Sequence, residues 1–126
     1  MNETFLSEKS ATLDHEKLIV YQTALEFIIL ADAIVGLLPK GRSYLNDQLQ
    51  RAALSISLNI AEGAGEYSID EKSRFYRMAK RSAMECAGVL DVCHRLHLLD
   101  ENKYSAGRQL LIRIVSMLVK MAQKSN

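Results

Sequence analysis

This chain has one proline, Pro39, and only six glycines with which to break 126 residues, and its apolar residues recur at helical spacing in between. So few breakers favour long helices over many short strands. Pro39 and Gly41 in "PKGRS" end a first helix that runs from about Asp14 to Leu38. Ser43 is placed to cap a second helix, which continues to about Gly65. Ser68 and Glu71 have the capping-box spacing, so a third helix starts near Ile69 or Asp70 and runs to about Leu98. Asp100 caps a fourth that ends near Gln123. Each helix is about 37 Å long at ~1.5 Å per residue. Connections this short set consecutive helices antiparallel. The expected fold is all-α: an antiparallel up-down-up-down four-helix bundle, one domain over residues 13–126, behind a flexible N-terminal arm at 1–12.

The first helix is too apolar to serve one side only. Leu18, Ile19, Val20, Leu25, Phe27, Ile28, Ile29, Ile34, Val35 and Leu37 cover nearly every direction around its axis, and only Gln22, Glu26 and Asp32 are clearly wet. A four-helix bundle has no central helix, so a second surface must cover it, which predicts a homo-oligomer. The run "FIILADAIVGLL" contains Asp32 and is too short to span a bilayer, so no membrane is expected. The first residues lack a basic start followed by an apolar run. Cys86 and Cys93 lie too far apart on one helix face for a disulfide. These features predict a cytoplasmic protein with reduced thiols.

The second helix carries a narrow polar line. Gln48, Arg51, Ser55, Asn59 and Glu62 follow one another at helical intervals of 3, 4, 4 and 3 residues. Apolar residues flank them, Leu45, Leu49, Ala52, Ile56 and Ile60 on one side and Leu54, Leu58 and Ala61 on the other, with Asn46, Gln50 and Ser57 as the wet side. Polar groups in such a position need partners. Ser82 and Glu85 on the third helix supply them, and Arg51 with Glu85 is the expected ion pair, because antiparallel helices meet middle to middle. This buried polar seam fixes register and oligomer state on one reading and forms a ligand or catalytic site on another; fixing register is the better attested use of such networks.

The formal net charge is +1, but residues 1–38 hold two Lys against six acids while residues 39–126 hold fourteen Lys or Arg against nine. The third helix concentrates the cations in "EKSRFYRMAKRS", where Lys72, Arg74, Arg77, Lys80 and Arg81 face one acid. Phe75 and Tyr76 interleave with them; cations contact phosphates, and an exposed Tyr76 stacks on a base. The fourth helix adds Lys103, Arg108, Arg113, Lys120 and Lys124. The competing reading is a solvated helix face with Phe75 in the core. A di-iron site needs two carboxylate-x-x-His motifs, and only Asp91 with His94 has that spacing; Cys86, Cys93, His94 and His97 lie on one helix, so no metal is expected. Ser55 and Ser82 lack a nearby His, and no cofactor motif is present, which predicts a non-enzyme. The glycines of "GAGEY" end the second helix in a left-handed turn.

The stretches "VYQTA" at 20–24, "LPKG" at 38–41, "DQLQRAALSISLNIAEGAG" at 47–65 and "RFYRMAKRSAMEC" at 74–86 resemble the bacterial four-helix bundle proteins of large-subunit rRNA intervening sequences. The resemblance covers most of residues 16–115. It implies a ring-like homopentamer and kinship with the accessory proteins of diversity-generating retroelements, similar barrels that bind nucleic acid and assist a reverse transcriptase. The family's characteristic polar residues fall on Gln48, Arg51, Ser55, Asn59, Glu62, Ser82 and Glu85. The retroelement proteins are strongly basic, whereas this chain is nearly neutral. Together these readings predict a nucleic-acid-binding or nucleoprotein-accessory scaffold, with itself, RNA or DNA, and a reverse transcriptase or other protein as partners. The alternative is a purely protein-binding scaffold.

Overall fold

The computed structural model describes residues 11–123. Among them it forms four α-helices and no strand: α1 Ile19–Leu37, α2 Ser43–Ala64, α3 Ile69–Arg95 and α4 Glu101–Gln123. Residues 1–10 of the expected arm, and Lys124 at the other end, lie outside the described residues.

The expected boundaries hold closely at three of the four helix starts. Ser68 is the N-cap of α3 and its hydroxyl accepts from the Glu71 backbone N–H at 3.1 Å. Asp100 Oδ1 accepts from the Lys103 N–H at 2.8 Å ahead of α4. That bond, first among its causes, holds the Asp100 carboxyl below its usual range. Ser43 is the first residue of α2 and makes no cap bond; Arg42 takes the cap position. The start of α1 departs most. Residues 14–17 form a turn, the Leu13 N–H donates to Glu16 Oε1 at 2.6 Å, and Leu18 is extended. Glu16 spends its carboxylate on that turn, so the helix begins at Ile19 instead of Asp14.

The glycines of "GAGEY" also behave differently from expectation. Gly65 follows α2 with φ −83°, in the right-handed region. Among the described residues the left-handed positions are Gly41 at φ 92° and His97 at φ 61°. Gly63 lies inside α2 and is buried, because α3 passes close there: a Cβ would stand 2.8 Å from Tyr76 Cε1 and 3.0 Å from Phe75 Cβ.

The four helices form a bundle. α1 and α3 each pack on α2 and α4, and the α2–α3 pairing is the most extensive. The core collects one stripe from each helix: Val20, Ala24, Phe27, Ala31 and Ile34 from α1, Leu49, Ala52, Ile56 and Ile60 from α2, Tyr76, Ala79, Ala83, Cys86, Leu90 and Cys93 from α3, and Leu111, Ile114 and Leu118 from α4. The alanines let helices approach where Phe27 and Tyr76 need room. Both cysteines are buried free thiols, and loss of water around Cys86 pushes its pKa up to about 12.

Large apolar side chains remain outside this core. Ile29 is 71 % exposed on α1, and Leu54 and Leu58 are 52 % and 54 % exposed on α2. α1 as formed is longer than the run "FIILADAIVGLL". By length and composition alone the 19-residue helix, with mean hydropathy 1.6, is long and apolar enough to cross a membrane, which the twelve-residue run is not. Its buried residues, spaced by three or four, show why it sits in the bundle: one stripe faces α2 and α4 while the rest faces outward.

Candidate functional site

The polar seam assembles where α2 meets α3. Glu85 accepts from Gln48 Nε2 and, at 2.9 Å, from Arg51 Nη2. Ser55 Oγ and Ser82 Oγ lie 2.8 Å apart. Asn59 Nδ2 donates to the Ser55 carbonyl at 2.9 Å and to its hydroxyl at 3.0 Å. Residue numbers rise along α2 as their partners fall along α3, from Arg51–Glu85 through Ser55–Ser82 to Gly63–Tyr76. Three corrections concern depth. The Arg51 side chain is 63 % exposed, so its pair with Glu85 is a surface salt bridge, worth about 0.2–1 kcal/mol. Glu62 is exposed and takes no part in the described network. Ser57, placed on the wet side, is buried and donates to the Leu54 carbonyl at 3.0 Å. The seam is graded, closed at Ser82 and open at Arg51.

Residues 16–120 match the family described as 23S rRNA-intervening sequence protein. The chain belongs to that family. No curated protein matches it.

The five cations of α3 from Lys72 to Arg81 divide into two groups. Lys72 is half-buried, and its ammonium donates to the Ala64 carbonyl at 2.8 Å and the Gly63 carbonyl at 3.4 Å. Those are the last carbonyls of α2, which a cation satisfies directly. Arg74 is held by Glu71, with Nη2 3.0 Å from Oε1, and its guanidinium lies 4.6 Å from the Phe75 ring centroid. The hydrogen bond to Glu71, followed by that group's charge, raises the Arg74 pKa. Arg77, Lys80 and Arg81 are exposed, and among the described residues none of them has a salt bridge. Arg77 and Lys80 border a groove of about 330 Å³ between α3 and α4, with Leu118, Val119 and Gln123 opposite.

Tyr76 overturns the stacking expectation. It is only 6 % exposed, and burial raises the pKa of its phenol. The reason is its place on the core stripe with Ala79 and Ala83, where the gap at Gly63 admits its ring. Phe75, which the solvated-face reading put in the core, is half-buried beneath Arg74. Residues 72, 76 and 80 therefore do not form one exposed face.

A second polar cluster joins the end of α3 to the start of α4. His94 stacks on Tyr104 with ring centroids 3.9 Å apart, His94 Nε2 lies 2.9 Å from Glu101 Oε1, and Tyr104 donates to Asp91 Oδ1 at 2.7 Å. The bond to Asp91 is the main cause of a raised Tyr104 pKa. The signal was present in the sequence as Asp91 and His94 with i, i+3 spacing. Among the described residues no group of three or more His, Cys, Asp or Glu is arranged to hold a metal ion.

Proposed function

We propose that this protein is a homo-oligomeric scaffold that holds a nucleic-acid backbone through Arg77, Lys80 and Arg81. On this reading the bundle runs up-down-up-down, and the opposed numbering of α2–α3 contacts supports that direction. Outward-facing Ile29, Leu54 and Leu58 support assembly with further copies. A ring of five is the assembly that the family resemblance suggests. The observation that carries the function is the contrast within one helix: Lys72 and Arg74 are occupied, while Arg77, Lys80 and Arg81 are exposed and, among the described residues, have no salt bridge to a carboxylate. Unpaired cations in a row suit phosphates. With Tyr76 buried, contacts to the backbone dominate and base identity has little influence.

The test is a titration of labelled duplex and single-stranded RNA and DNA across salt. Wild type binds more weakly as salt rises. The Arg77→Ala, Lys80→Ala, Arg81→Ala triple variant has a shallower log–log slope by about 2.7 per protomer on duplex, from about 0.9 per phosphate contact. No salt-sensitive binding at low ionic strength refutes the reading. The exposed leucines of α2 favour a second reading, a protein-binding scaffold, which a partner polypeptide retained after nuclease treatment would support.

A further inference from the structure

The middle of the α3–α4 face is a different surface from the cationic stretch just before it on α3. Ala83, Met84, Ala87, Leu111 and Ile112 line a groove of about 230 Å³ with Arg108 among its lining residues. Its lining is apolar except for Arg108 and Ser116, and Met84 and Ile112 are more than half exposed. α1 offers the matching shape. Ile29, Ala33 and Gly36 follow one helix face at intervals of four and three, all exposed, and a Cβ at Gly36 would meet nothing within 4 Å. Ile29 is thus a knob with small neighbours beside it. Glu26 and Asp32 are exposed on α1 to either side of this ridge.

The charges match as well as the shapes. Among the described residues, neither Glu26 nor Asp32 has a salt bridge, and neither does Arg108. α4 carries Lys103, Arg108, Arg113 and Lys120 against Glu101, whereas α1 carries only Glu26 and Asp32. An apolar ridge edged by acids complements an apolar groove edged by an arginine. Ridge and groove lie on different helices of the same chain, so joining them is a head-to-tail contact and not a self-matching patch.

We infer that the α1 ridge of one copy seats Ile29 in the α3–α4 groove of the next, with Glu26 or Asp32 reaching Arg108 across the joint. This rests on the homo-oligomeric reading above and assigns its interface. Arg77, Lys80 and Arg81, one to two turns before Met84 on α3, are not among the residues that line the groove.

Sedimentation velocity on the full chain tests it, with far-UV circular dichroism as the fold control. Three variants are needed: Arg108→Glu, the Glu26→Arg, Asp32→Arg pair, and all three changes together. All sites are exposed, so the fold is expected to survive. Each single-sided reversal raises the dissociation constant on the order of tenfold or more, since it sets like charges opposite each other. The combined variant, with opposite signs facing again, returns to the wild-type mass. Wild-type assembly that neither reversal weakens, or a combined variant that stays dissociated while folded, overturns the interface and leaves the oligomeric reading standing. A folded wild type that sediments as a 14.2 kDa protomer overturns both.

Discussion

Gly63 and Gly88 both sit in helices, and replacing each by alanine separates local propensity from helix–helix packing. In a helix interior, alanine is favoured over glycine by about 1 kcal/mol. At Gly88, exposed on α3, a Cβ meets nothing within 4 Å, so Gly88→Ala gains about that amount. At Gly63 the same methyl stands 2.8 Å from Tyr76 Cε1 and 3.0 Å from Phe75 Cβ. The ring has some freedom, but a Cβ is fixed to its backbone, so α2 and α3 must move apart. Overpacking of this kind costs about 1–3 kcal/mol. Gly63 lies one residue from the end of α2, so its propensity gain is smaller than at Gly88, and the difference between the variants is the packing cost plus that shortfall. Urea unfolding at one fixed protomer concentration reads it, because assembly makes stability concentration-dependent. A gap of ~2 kcal/mol with a slope of ~2 kcal/mol per molar separates the midpoints by about 1 M, Gly63→Ala unfolding first. Equal midpoints would show that the close approach of α2 and α3 does not constrain the fold.

Two further predictions concern the cap of α3 and the buried thiols. Ser68→Ala removes the acceptor for the Glu71 N–H and lowers stability by about 1 kcal/mol, read as a urea midpoint shift; Ser68→Gly loses only a few tenths. Cys86, with its pKa pushed up to about 12 from 9.0, stays unreactive toward a water-soluble thiol reagent at pH 8 in the folded protein and reacts in urea. The same shift fixes a sign: its stabilisation is complete below pH 9 and is lost as pH rises toward 12, because only the unfolded thiol ionises in that window. Cys86→Ala flattens that alkaline decline without abolishing it, since burial also raises the thiol pKa of Cys93; an unchanged pH profile refutes the assignment.

Chain punctuation is a local property, and it was the most readable part of the sequence. Ser68 with Glu71 and Asp100 with Lys103 are contacts three residues apart, decided by spacing alone. Pairing across α2 and α3 was also readable, since a helical wheel gives direction and opposed helices meet at their middles: Arg51 reaches Glu85 and Ser55 reaches Ser82. Depth was not. A wheel gives the angle of a side chain but not its distance from the bundle axis, so Arg51 and Ser57 came out on the wrong sides of the surface. Tyr76 was misread for another reason. Its core stripe continues through Ala79 and Ala83, residues too small to announce a buried face beside so many cations. Gly63 was the missing signal, a glycine required by a neighbouring helix and not by a turn.

The order of the helices along the chain bears on how this protein is made. α1, the most apolar helix, rests on both α2 and α4. Its last residue, Leu37, precedes the end of α4 at Gln123 by 86 positions. At ribosomal speeds of about 5–20 residues per second, that interval is roughly 4–17 s. Throughout it, α1 lacks at least one of its two neighbours and displays greasy surface to whatever surrounds the nascent chain. Slowing elongation before α4 therefore lengthens the exposure, and a holdase that grips α1 shortens its opportunity to aggregate.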